Sequence, residues 1–106
     1  MKDFSQNSTN ERLTTQQVLR SVADYFNIEV SDILRAKRNK EFVYPRQVVM
    51  YILREYLRHS FPQIGEALGG KDHTTVIYGV DKISTLRKTT PSIESDISNI
   101  IKTLNK

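Results

Sequence analysis

Ser60–Ile83 reads SFPQIGEALGGKDHTTVIYGVDKI, and the fold turns on it. Ser60 is a helix cap, with Gln63 three residues on to complete a capping box. Pro62 falls in the first turn, where its missing N–H is harmless. Ile64, Ala67 and Leu68 recur at i, i+3 and i+4, which makes one apolar face. Gly69-Gly70 then ends the helix, because glycine accepts the left-handed backbone of a helix terminus. Asp72 is an N-cap for a second helix, whose buried face is Val76, Val80 and Ile83. Two helices joined by a glycine turn form the outline of a helix-turn-helix.

The first turn of the second helix is wholly polar: Lys71, Asp72, His73, Thr74, Thr75. A helix that only packed would not need this run. At the tip of a recognition helix the chemistry fits duplex DNA. Asp accepts from the cytosine amino group, Thr touches a thymine methyl or bonds a phosphate, His does either, and Lys meets phosphate or guanine. The free N–H groups of the helix end attract a phosphate as well.

Working outward, the chain has 106 residues and a net charge of +4, so one domain with a modest core is expected. It has no cysteine, so neither a disulfide nor a thiolate metal site can form. No apolar run approaches a membrane span, and a reducing cytosol is the expected compartment. Residues 35–58 carry seven basic and two acidic side chains, whereas residues 1–34 carry three and five. Positive charge gathered just before the helix-turn-helix is a nucleic-acid footprint.

Met1 to Leu13 is polar, with little to bury, and reads as a flexible tail or linker; a single domain of residues 14–106 follows. Thr14 and Gln17 form another capping box, opening a helix whose inward stripe is Val18, Val22, Tyr25 and Phe26 and which Asn27 ends. Val30 to Ala36 is a short second helix facing inward through Ile33 and Leu34. Lys37 to Tyr44 is a basic loop, crowded by Arg35, Lys37, Arg38 and Lys40. A loop of this kind can enter the minor groove of A·T-rich DNA, while Lys37 and Lys40 meet phosphates, or only solvent. Pro45 starts the longest helix at its first turn. Val48, Val49, Ile52, Tyr56 and Leu57 form its apolar face, and Arg46-Gln47 present two exposed donors that make a phosphate clamp. Thr90-Pro91 breaks the recognition helix after about Arg87. Ile93, Ile97, Ile100, Ile101 and Leu104 then form a last amphipathic helix that packs back on the domain.

IGEALGGKDHTTVIYG, with YPRQVVMYILRE upstream, resembles the C-terminal DNA-binding domain of the bacterial chromosomal replication initiator DnaA. The resemblance runs from about Leu19 to the C-terminus. It implies an all-α domain of about six helices with a Trp-repressor-like helix-turn-helix. It implies sequence-specific binding of double-stranded DNA at an asymmetric, A·T-rich DnaA box of the TTATCCACA type. By resemblance, Arg38 reads the minor groove. Arg46, Gln47 and Arg54 grip phosphates, joined by Thr75 and Tyr78. Lys71, Asp72, His73 and Thr74 read bases, and Phe61 and Pro62 touch thymine methyls. Tyr78 stands where many members have His, and Gly79 where they have Ala or Ser. Full-length members are ATPases through an upstream domain, so ATP is not expected as a cofactor of this chain. The family also meets regulatory proteins through this domain. A monomer in the bacterial nucleoid is the expected state.

Other readings carry less. Gly65 to Lys71 spells G-x-x-x-x-G-K, but Asp72 follows where a P-loop needs Ser or Thr, and a helix precedes it rather than a strand. Asp72-His73 and His59 make a weak metal signal, and no nucleophile–base pair suggests catalysis, so neither an enzyme nor a metal site is expected. A stand-alone DnaA-like regulator, or a protein-interaction module using the last helix or the recognition tip, are the alternative functions.

Overall fold

A computed structural model describes residues 13–35 and 40–105, without the side chain of Lys40. Six helices follow one another: α1 (Thr15–Phe26), α2 (Val30–Leu34), α3 (Lys40–Glu55), α4 (Phe61–Ala67), α5 (His73–Thr89) and α6 (Pro91–Leu104). No strand occurs among the described residues. Residues 1–12 of the expected tail, the expected end of α2 at Ala36, and Lys37 and Arg38 lie outside the described residues, whereas Leu13, the last residue of that expected tail, is partly buried against the core.

The caps sit where the sequence puts them. The Gln17 N–H donates to Thr14 Oγ1 at 3.2 Å while the Thr14 N–H donates to Gln17 Oε1 at 2.8 Å. Ser60 and Gln63 repeat the exchange at 3.2 and 2.8 Å. Asn27 ends α1 with a left-handed backbone, φ 60°, a conformation Asn tolerates better than most residues.

α3 is the hub. It packs against α1, α2, α4 and α5, and Val48, Val49, Met50, Ile52 and Leu53 are all fully or almost fully buried. A helix enclosed by neighbours on most sides needs an apolar surface wider than one stripe. α6 lays Ile97, Ile100 and Leu104 against α1 and α5. Ile93 and Ile101 pack beside that face and are partly buried.

Several expectations are corrected. α3 begins at Lys40 rather than Pro45, so the segment from Lys40 to Tyr44 is helix and not loop, and Pro45 lies inside the helix. Proline there removes one backbone hydrogen bond, to the residue 41 carbonyl, and the burial of Phe42, Pro45 and the residues after it holds the turn together. α2 ends at Leu34 because Arg35 leaves the helical region at ψ 151°. α5 runs two residues past Arg87, to Thr89. Tyr25 and Tyr56 are not inward: both are exposed, each turning its hydroxyl to a polar partner. Tyr25 donates to Asp96 at 2.7 Å, and Arg87 donates to the Tyr56 oxygen at 3.2 Å.

Candidate nucleic-acid interface

The turn between α4 and α5 is built on one carbonyl. Gly65 O accepts from the N–H groups of Gly70 at 3.0 Å, Lys71 at 2.9 Å and Leu68 at 3.3 Å. This pulls the chain so close that a Cβ on Gly65 would lie 2.2 Å from Lys71 O. Only glycine fits there. Gly69 and Gly70 have φ 84° and 87°, and a Cβ on Gly69 would meet Leu34 O at 2.9 Å, so the turn also abuts the end of α2.

Asp72 then caps α5. Its Oδ1 accepts from the Thr74 N–H at 2.9 Å, and Oδ2 accepts from the Thr75 hydroxyl across a long 3.4 Å. Each carboxylate oxygen keeps a further lone pair, so capping leaves an acceptor for an incoming donor. His73, Thr74 and Thr75 are exposed around it. Tyr78, one turn on, is 62% exposed. Lys71 is half-buried behind the tip. Burial first, then the neighbouring Arg46 charge, lower its ammonium below the usual lysine value. Two like charges thus stand near each other at the base of the tip.

Arg46 is the main correction. It lies in the second turn of α3, not beside the helix start, and is only 8% exposed. Its Nε donates to Ile33 O at 2.9 Å and its Nη2 to Arg35 O at 2.7 Å. The guanidinium therefore satisfies the carbonyls at the end of α2, and burial draws its pKa below the ordinary guanidinium value. Gln47 is buried too. It sits at the crossing of α3 and α5, where a Cβ on Gly79 would lie 3.3 Å from its Cγ and 2.5 Å from Met50 Sδ. Gly79 thus sets how closely the two helices cross.

Arg54 is half-buried at the other end of α3. It donates to His59 O at 3.1 Å and stacks 4.2 Å above the Phe61 ring centroid. This ties the end of α3 to the start of α4. Phe61 is partly covered by it, while Pro62 is exposed. The structure thus gathers Lys71, Asp72, His73, Thr74, Thr75 and Tyr78 along the start of α5 and the turn before it, beside Gln47, and sets Arg54 with Phe61 apart at the start of α4. Arg38, Lys37 and the Lys40 side chain lie outside the described residues. Gly65 and Gly79, which position the tip, were not read as site residues in the sequence. The available signal was an isolated glycine inside each helical pattern, which marks close packing.

The helix-turn-helix of the bacterial DnaA protein matches residues 15–83. A solved crystal structure of a DNA replication initiation factor superposes with a TM-score of 0.77 at 31% sequence identity, covering 91% of this chain and 29% of that one. The present chain therefore corresponds to under a third of that protein's length. With a match that spans residues 15–83, well over half of its length, the chain belongs to the bacterial DnaA helix-turn-helix family.

Proposed function

We propose that this domain binds duplex DNA sequence-specifically, at sites of the DnaA-box type, as the origin-recognition part of a replication initiator. One observation carries the reading. His73, Thr74 and Thr75 project from a helix N-terminus fixed by a turn that only glycine permits, and nothing in the packing calls for them. α5 enters the major groove; His73, Thr74 and the spare lone pairs of Asp72 meet base edges, with Lys71 behind them. Thr75, Tyr78 and Gln47 meet phosphates, which fix the register without reading sequence. Arg54 and the 37–40 segment add backbone contacts, Pro62 and Phe61 touch thymine methyls, and Arg38 supplies the minor-groove contact.

Titration of the chain with a labelled duplex carrying one TTATCCACA-type box, beside the same duplex scrambled, tests this at one fixed salt. A preference of about 10³-fold or more is expected of a specific reader; equal affinity for both rejects it. Thr74→Val should then weaken binding by roughly 1–3 kcal/mol and relax one base position, with thermal stability unchanged. Equal weakening on the scrambled duplex would reassign Thr74 to the backbone.

A further inference from the structure

Beyond its tip, α5 has two unlike exposed flanks. At about 100° per residue, Thr75, Tyr78 and Lys82 share the flank beside α3, while Ile77 and Asp81 share the opposite one. The second flank offers a carboxylate, which a phosphate avoids. The first offers a cation and, among the described residues, no acid pairs with it: Lys82 Nζ has only the Tyr78 ring, 5.9 Å to its centroid. Between that flank and α3 runs an open groove of about 340 Å³, lined by Val43, Tyr44, Gln47, Lys82 and Leu86. Its aliphatic floor is Val43 and Leu86, and its polar groups include the Gln47 amide and the Lys82 ammonium. The groove is continuous with the surface assigned to phosphates above, because it shares Gln47 with it. Lys82 lies four residues past Tyr78, roughly 6 Å along the helix axis, the scale of one nucleotide step.

We propose that this groove seats one sugar–phosphate of DNA flanking the recognised site, the deoxyribose against Val43 and Leu86 and the phosphate on Lys82, next to the phosphate that Gln47 meets. The assignment rests on α5 being a recognition helix. It extends the footprint past the box by one backbone contact that carries no sequence information.

The test compares two box-containing duplexes, one with long flanks and one trimmed at the box ends, each titrated across a salt series with the whole chain. For the wild type, the slope of log K against log salt should be steeper by about one on the long duplex. Lys82→Gln should lose that extra unit and Lys82→Arg should regain it. Lys82 is exposed, so melting curves of the variants should overlay the wild type. An unchanged slope for Lys82→Gln on the long duplex overturns the proposal. An equal loss on the trimmed duplex overturns it as well, by putting Lys82 inside the box. Failure of the wild type to prefer the box over a scrambled duplex strikes the parent reading instead, and is visible in the same titrations.

Discussion

The two ends of α5 are held in opposite ways. At the N-terminal end, the side chains of residues 72–75 are exposed, and among the described residues the Asp72 cap is their fastening. At the C-terminal end, Arg87 is ion-paired with Glu94 of α6 and donates to Tyr51 of α3 at 3.0 Å and to Tyr56 at 3.2 Å. These partners hold the Arg87 proton more firmly than usual, the Glu94 contact above all. Glu94 in turn accepts from Ser98 at 2.8 Å. The contrast teaches where accuracy comes from. A surface that must present unpaired donors and acceptors to a ligand cannot also be cross-linked within the protein. Its position has to be set from behind, by the turn, the helix crossing and the far anchor.

The sharpest way to break this contrast is at the turn. Gly65→Ala forces a Cβ into a backbone carbonyl, and should destabilise the domain by about 3 kcal/mol in a denaturant titration. A loss within a few tenths would show that the turn yields and does not position the tip. Arg46→Ala comes next, since it strips two charge-assisted hydrogen bonds from the end of α2. About 2 kcal/mol of stability should go, read from the same unfolding curves. Were stability untouched while the salt slope of binding fell, the exposed phosphate clamp expected from the sequence would be restored in place of the buried brace.

Smaller effects separate capping from reading. Asp72→Ala should cost about 1 kcal/mol of stability by removing the cap, whereas Asp72→Asn, which keeps a capping oxygen, should melt close to the wild type. If both variants melt alike, Asp72 is not fastening α5. The far anchor gives the smallest change, and it is pH-dependent. The Arg87 guanidinium, followed by the Ser98 hydroxyl, holds the Glu94 carboxylate below its ordinary value of 4.5. A depressed carboxylate contributes stability above its unfolded value and loses it as pH falls through the folded one. Between pH 5 and pH 3 the wild type should therefore lose slightly more melting temperature than Glu94→Gln; identical losses would mean that the ion pair is neutral to folding. The exposure of Glu94 keeps the effect small.

Much of this architecture is legible in the sequence because its devices are local. Thr14 with Gln17, Ser60 with Gln63, Asp72, and Gly69-Gly70 act within four residues of themselves, so spacing alone places them. What was not legible depends on distant neighbours. Arg46 reads as an exposed cation because arginine usually is; only the approach of the α2 carbonyls turns it inward. Pro45 reads as a helix start because proline favours that place, yet packing of Phe42 and the α3 core carries the helix back to Lys40. Tyr25 falls on the apolar stripe of α1, but Asp96, 71 positions away, draws its hydroxyl outward. The site divides likewise. The tip is visible as a run of polar residues, while the glycines that aim it look like ordinary interruptions of a pattern.

The cradle at Gly65 has a wider consequence. The crossing of α4 and α5 is specified by a missing atom and by main-chain hydrogen bonds, neither of which depends on what residues 73, 74 and 75 are. If those three positions read bases as proposed, they form a replaceable bit in a fixed tool holder. A library randomised there, with Gly65, Asp72 and Gly79 retained, starts from a folded chassis, so selection acts on recognition alone. Under the proposed reading, new base preferences are reachable from this framework in single steps, without the compensating substitutions that a side-chain-packed turn would demand.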